Sequence, residues 1–387
     1  MIEQITLSSA LTPPTVGTGN RPAGTIKTVP EHFQVIEIPS VLPSGDGSHR
    51  WLELERVGMN TEFVARQIAR IAGVAKRDVG YAGLKDRHAR TRQWFSVPGF
   101  EDDETLVESL AQCGLQLHAS ARHERKLKRG ALRGNRFKIF VLAGDNQHRF
   151  EKDEEKDEKT DGLANGELDE VALNEIAVNE IVSANAEALR VRGAANYFGP
   201  QRFGHHGNNL HHAQRMLLDG KRVRERHLRG LYLSAARSAL FNQVLAARVR
   251  DGSWDSLLPG EAVMLDGSSS WFHSDVVDAQ LTERLAAFDV HPSGPLVGDG
   301  DSPATAVAAQ VENEALADCE ALLEALRATR MEPARRALRV SLVDLQIRQA
   351  SGEGWWLEFS LPAGAYATMV LREIFDVVDA STSAQRF

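Results

Sequence analysis

An α+β fold is the class with which this sequence agrees, in two observations that do not by themselves establish it. Strand-like patterns cluster in the first 142 residues and return at Trp355–Leu361, whereas helical patterns dominate Asn208–Thr329. Strands and helices that occupy separate stretches of a chain build α+β architectures rather than alternating ones. At 387 residues the chain can hold one large domain or two and can bury a sizeable core.

Taken in order, residues 1–25 are rich in Thr, Pro and Gly and read as a loosely attached extended arm. Phe33, Val35 and Ile36 mark a strand within Lys27–Ile38. Arg50–Val57 alternates Leu52 and Leu54 with Glu53 and Glu55, again as a strand does. Asn60-Thr61-Glu62 supplies N-cap chemistry for a helix whose apolar face would be Phe63, Val64, Ile68 and Ile71, with Gly73 ending it. A short acidic helix is expected over 101–113, a strand over Leu115–His123, a basic hairpin around Lys126–Arg133, and a strand over Arg136–Leu142. Residues 144–168 form an acidic low-complexity tract expected to be a disordered surface loop. Helical spacing resumes at Leu173–Arg192, Asn208–Leu218, His227–Arg250 and Glu312–Thr329, while Gly252–Pro303 is rich in Gly, Ser and Pro with a few short strand-like pieces. The strand Trp355–Leu361 is followed by a helix expected from Tyr366 to Val378.

Charge is segregated along this chain. The formal net charge is −8, but residues 151–170 alone hold ten acids against three lysines and so account for −7 of it. Ala121–Lys138 carries eight Lys/Arg against Glu124, and residues 214–250 carry nine against Asp219 and Glu225. Segregation of this kind is the footprint of a protein that engages phosphates, although any one cluster alone also fits a solvated helix face. No apolar run approaches membrane-spanning length, and the N-terminus lacks a basic-then-apolar signal pattern, so no membrane association is expected. Cys113 and Cys319 stand without metal-ligand spacing and read as free thiols of a cytoplasmic protein. His205, His206, His211 and His212 come as side-by-side pairs without a cysteine or carboxylate partner, so no metal site is expected. The chain has no heptad seam and is expected to be a monomer with no protein partner.

The most informative stretch is Gly80–Val97, GYAGLKDRHARTRQWFSV, in which Asp86 lies between Lys85 and Arg87 with Arg90 and Arg92 close behind. A carboxylate among so many cations stays ionised and can serve as nucleophile, general base or metal ligand; an acid that merely pairs with its neighbours in a surface turn is the plainer alternative. The run AGLKDRHARTRQW resembles the catalytic motif of the TruD family of tRNA pseudouridine synthases. Five further blocks are similar to the same family in the same order: TVPEHFQVIEI, GALRGNRFKI, NYFGPQRFG, LSAARSALFNQ and LPAGAYATMVLRE. Together they span nearly the whole chain.

The resemblance implies a pseudouridine synthase catalytic domain, a mixed and largely antiparallel sheet flanked by helices, over 1–196 and 341–387. It also implies an inserted, mainly helical TRUD domain over 197–340. Residues 144–168 then look like an insertion, because the family's connection there is shorter. The implied reaction is isomerisation of uridine 13, in the D-stem region of tRNA, to pseudouridine, which needs no cofactor. Asp86 matches the family's catalytic aspartate, and Lys27 the lysine that would hold it ionised. Phe33 and Tyr366 match positions lining the uridine pocket, the family more often having Phe at the latter. Asn135 and Phe137 match the GNxF motif, Asn135 to order the loop or bind the base and Phe137 to stack on it. Two apart on a strand, they would face the same side. Arg202 and Arg237 are expected to be structural or to contact phosphate.

Two other classes were open to the residues themselves. A non-catalytic RNA-binding or RNA-folding protein could use the same basic cleft, but it has no need of an acid among phosphates. A magnesium-dependent nuclease would need several clustered carboxylates, and cations surround Asp86 instead.

Overall fold

The computed structural model describes residues 11–17, 19–99, 104–144, 166–350 and 353–383. The acidic stretch expected to be disordered, 144–168, lies outside them except for Gly144 and the first turn of a helix. The chain forms two compact units, one from Asn20–Glu187, Leu342–Gly364 and Ile374 onward, the other from the residues before Asn20, Ala188–Ser341 and Ala365–Glu373.

The first unit is built on a sheet of ten strands among the described residues. These are β1 (Ala23–Ile26), β2 (Phe33–Pro39), β3 (His49–Val57), β4 (Gly80–Tyr81), β5 (Arg90–Pro98), β6 (Gln116–His123), β7 (Leu132–Ala143), β8 (Val343–Ala350), β9 (Gly354–Pro362) and β10 (Asp376–Asp379). The order is β8-β9-β7-β2-β5-β3-β6, with β4 on β5 and β1 pairing both β7 and β10. Only β2–β5 and β1–β10 are parallel, so the sheet is mixed and largely antiparallel.

The helices that accompany it include α1 (Thr61–Ile71), α2 (Glu104–Gln112) and α3 (Gly166–Arg192). Asn60 caps α1, its Oδ1 accepting from the Phe63 amide at 2.8 Å. Alternate residues of a strand point to opposite faces, and both faces are covered here. Leu52, Leu54, Phe95 and Val97 pack on Val64, Ala65 and Ile68 of α1 and on Leu106 and Leu110 of α2. Trp51 and Trp94 pack instead against Ala82 and Leu127. α3 is tied to the sheet where Trp355 Nε1 donates to Asn179 at 2.8 Å.

Several expectations need correction. The buried face of α1 is Val64, Ala65, Ile68 and Ala69, with Ile71 partly buried against the same cluster, while Phe63 is 37% exposed and stands off it. The basic stretch around Lys126–Arg133 is not a hairpin: β6 pairs with β3 whereas β7 pairs with β2, so the chain crosses the sheet there. Its backbone amides bond to the segment that follows β4 and to β5, Gly130 N to Ala82 O at 2.8 Å and Leu127 N to Ser96 Oγ at 2.8 Å. The helix expected to run to Val378 spans only Ala367–Ile374; the β-branched pair Val377-Val378 extends instead as β10, parallel to β1. Helix α3 starts at Gly166, earlier than Leu173. Glu312–Thr329 is divided into Ala306–Leu316 and Glu320–Arg327 by a 3-10 turn.

In the other unit the helix Arg226–Arg250 is buried on two sides. Ala235, Ala239, Phe241 and Leu245 meet Tyr197, Phe198 and Leu338. Leu233, Ala236, Leu240 and Val244 meet Leu316, Leu322 and Leu326. The arm is not loose over its described part: Leu11 and Val16 pack on the first of these clusters, and the Val16 amide donates to Glu373 at 2.8 Å. Gly252–Pro303 holds a three-stranded sheet of Glu261–Leu265, Trp271–Ser274 and Val290–His291. No helix among the described residues is long and apolar enough to cross a membrane.

Candidate active site

Lys27 follows β1 with φ of +57°, a left-handed conformation that costs a non-glycine residue about 1 kcal/mol or more. From there its ammonium donates to Asp86 Oδ2 at 2.5 Å and to Asp379 Oδ2 at 3.0 Å. The lysine side chain is 3% exposed and that of Asp86 31%, so the cation is sealed and the carboxylate is open on one side. Asp86 stands in the loop between β4 and β5, its other oxygen accepting from the His88 amide at 3.0 Å. Burial pushes its carboxyl up, but the Lys27 charge and hydrogen bond, with the His88 amide, outweigh this and hold it below the ordinary aspartate value. Burial likewise pulls Lys27 down, and Asp86 and Asp379 together carry it above the ordinary lysine value. Both groups are therefore charged near neutrality.

Asp379 was not foreseen from the sequence. It enters because β10 runs parallel to β1, with Asp379 beside Ile26, and Ser381 fixes its Oδ1 through the amide at 3.0 Å and the hydroxyl at 2.5 Å. The available signal was the strand character of Asp376-Val-Val-Asp379.

An aromatic wall adjoins the ion pair. The Phe33 ring lies 4.8 Å from the Lys27 ammonium and 6.3 Å from the Phe137 ring, which in turn is 5.5 Å from Phe359. Register places these together: Phe137 pairs with Val35 on β2 and with Phe359 on β9, and Asn135 pairs with Glu37 and Leu361. Asn135 and Phe137, two apart on β7, thus share a face. Phe33 and Phe137 are 4% and 7% exposed, so they present rims to the site rather than open ring faces.

Beneath the loop lies a buried polar lattice that sequence reasoning also missed. Lys85 Nζ bridges the cross-strand pair, at 2.8 Å from Glu37 Oε2 and 2.5 Å from Asn135 Oδ1. An ammonium can only donate, so it fixes the Asn135 amide with oxygen toward Lys85 and leaves the NH₂ to donate elsewhere. Gln93 Nε2 donates to Glu37 at 3.0 Å and to the Gly83 carbonyl at 2.8 Å. Arg56 donates to Gln93 Oε1 at 2.9 Å and to Thr61 Oγ1 at 3.0 Å, and that hydroxyl also accepts from the Lys85 amide at 3.0 Å. The loop that carries Asp86 is therefore held at Gly83 and at both ends of Lys85. Burial lowers Lys85 and Arg56, the latter to about 10, with Glu37 opposing in each case.

Asp86, Lys27, Phe33, Asn135 and Phe137 are thus gathered in one unit. Tyr366 belongs to the other, its ring 6.1 Å from Phe198. Arg202 lies over Phe198 and donates to Ser238 at 3.1 Å, while Arg237 donates to the carbonyls of Leu296 and Glu332 at 2.6 and 3.0 Å. Cys113 and Cys319 are free thiols. His205 and His206 stack edge to face at 3.9 Å, and among the described residues no three His, Cys, Asp or Glu side chains gather as a metal ion would require.

Comparison with known proteins is consistent along the chain. The family model described as tRNA pseudouridine synthase D (TruD) matches residues 15–225 and 220–374. A tRNA pseudouridine synthase D of Methylococcus capsulatus is 43% identical over 353 residues, covering 91% of each chain. That of Nitrosococcus oceani is 42% identical over 360 residues, covering 92% of each. A crystal structure from Methanosarcina mazei that carries the TruD name superposes with a TM-score of 0.66 over 95% of this chain and 97% of that one. At 18% identity, that likeness speaks for the fold alone.

Proposed function

Because the chain belongs to the TruD family of tRNA pseudouridine synthases, we propose that it isomerises uridine 13 of tRNA to pseudouridine, with Asp86 as the carboxylate that does the chemistry. The observation that carries this reading is the pairing of a half-open, ionised Asp86 with a sealed Lys27 at 2.5 Å beside the Phe33–Phe137 wall.

The reaction breaks the N1–C1′ bond, turns the detached base and joins C5 to C1′; C5 loses a proton and N1 gains one, so no redox partner or group donor is needed. A flipped-out uridine, extruded at a cost of a few kcal/mol, enters beside Asp86. The carboxylate attacks the nucleoside or stabilises the cationic sugar as the glycosidic bond opens. Lys27 keeps Asp86 in the anionic form that either role requires, and Asp379 keeps Lys27 in place. Phe33 and Phe137 confine the base while it turns. The Asn135 NH₂, aimed by Lys85, donates to a uracil carbonyl, which favours uracil over an amino group at position 4 of the ring. The sheet unit is the catalytic domain and the helical unit the inserted domain. The enzyme works as a cytoplasmic monomer without a cofactor.

The test uses unmodified tRNA transcripts with tritium at uridine C5. Release by the wild-type protein, mapped to position 13 and absent with Asp86→Asn, supports the reading. Tight tRNA binding without release from either protein, across a broad tRNA set, would leave an RNA-binding protein in its place.

A further inference from the structure

Beside the loop that carries Asp86, the same unit holds a second cleft, of about 540 Å³, that the chemistry above does not use. Five cations line it: Lys76, Arg77, Lys126, Lys128 and Arg129; Glu62 is the one carboxylate among its lining residues. The cleft is built rather than incidental. A Cβ at Gly80 would lie 2.4 Å from both the Leu127 carbonyl and Ser96 Oγ, so glycine there lets the basic crossover press against β4. Gly130 N to Ala82 O, Leu127 N to Ser96 Oγ and Trp51 Nε1 to the Arg125 carbonyl at 2.9 Å then fix it. Lys126 Nζ donates to the Arg77 carbonyl and closes the two basic segments on each other.

Inside, Glu62 already behaves as an anion held by cations. Lys76, the Tyr81 hydroxyl and Arg129, the last at 3.2 Å, all converge on its carboxylate. The Arg129 guanidinium lies 3.9 Å from the centre of the Tyr81 ring, and its Nη2 donates to the Tyr81 hydroxyl at 2.5 Å; a planar, multi-donor guanidinium of this kind suits a phosphate. These pairs are exposed, 46% and 36% for Lys76 and Glu62. Exchanging such a carboxylate for a stronger anion costs little, since surface ion pairs contribute about 0–1 kcal/mol.

We infer that this cleft holds a backbone phosphate of the RNA substrate, with Glu62 as the internal anion that the phosphate displaces. Tyr81 is five residues from Asp86, at most about 18 Å along an extended chain, so the phosphate belongs to a nucleotide within a few of the reacting uridine. The inference rests on tRNA being the substrate.

The experiment measures binding of an unmodified tRNA transcript at several salt concentrations, together with C5 tritium release. It compares the wild type with Arg77→Ala/Lys128→Ala, with Glu62→Gln, and with the charge-matched control Arg136→Ala/Arg348→Ala, whose side chains pair with Glu358 away from the cleft. The cleft double variant should bind at least several-fold more weakly, its slope of log affinity against log salt shallower by about 1 to 2, with the loss falling on KM rather than kcat. Glu62→Gln should bind more tightly and steepen the slope. Equal weakening by the control, an unchanged slope in the cleft double variant, or weaker binding by folded Glu62→Gln would overturn the inference. If these binding responses appear while the wild type releases no tritium, the cleft stands and the synthase reading fails.

Discussion

Two ion pairs, one in each unit, each set a sealed cation against a carboxylate and differ in how open that carboxylate is. Arg248 and Glu261 in the helical unit are 3.1 Å apart and 2% and 1% exposed. Their remaining valences are spent internally: Arg248 also donates to the carbonyls of Ser253 and Ser256, and Glu261 accepts from the Leu258 and Ser293 amides. Lys27 and Asp86 are closer, yet Asp86 keeps 31% of its side chain open, and Lys27 sits in a left-handed backbone conformation to reach it. The first pair has no face to offer a substrate. The second does, and its geometry is bought with strain. Distance alone therefore does not tell the two pairs apart; the exposure of the anion does.

The comparison is broken most severely by Asp86→Asn. Turnover should fall by on the order of 10⁴-fold or more. Lys27 retains Asp379, so the melting temperature should stay within a few degrees of the wild type; a large drop in both would make Asp86 structural. Arg248→Met should do the reverse. Stranding Glu261 costs about 3–5 kcal/mol, read as a shifted urea midpoint, while turnover per folded molecule changes far less than with Asp86→Asn.

Smaller effects sharpen the contrast. Asn135→Asp keeps an oxygen for Lys85 but removes the NH₂ donors, so kcat/KM for tRNA should fall about 10- to 100-fold, as expected for one lost buried hydrogen bond. The exposed pair Arg136–Glu358, 58% and 15% exposed, should matter least, Arg136→Ala changing unfolding free energy by less than about 1 kcal/mol.

The contrast also explains what the sequence did and did not disclose. The pairing of Lys27 with Asp86 was expected from the resemblance alone, because the motifs that carry it are local in the sequence. The Asn60 cap and the strands around Phe33 and Trp355 were legible from short-range pattern. The lattice of Glu37, Arg56, Thr61, Lys85 and Gln93 was not: its members come from three strands, the start of α1 and the β4–β5 loop, and on the strands Glu37, Arg56 and Gln93 look locally like residues of a solvated face. Both faces of β3 and β5 are in fact covered, by α1 and α2 on one side and by the basic crossover on the other, which turns those positions inward. Asp379 was hidden for a different reason: its role arises from parallel pairing across more than 350 residues, which no local window contains.

The central claim is that Lys27 keeps Asp86 ionised for the chemistry, and the pH dependence of single-turnover tritium release tests it. A carboxyl depressed by its partner works above its own pKa and fails only as pH falls through it, and its contribution to stability is lost in the same window. The wild-type rate should therefore stay level down to about pH 5, its acid limb lying below the ordinary aspartate value. Lys27→Met removes the largest opposing charge and leaves the burial, so the limb should move upward into the measurable range while the protein remains folded. A limb unchanged by Lys27→Met would mean that the lysine does not set the ionisation of Asp86, and the account of the site would fail there.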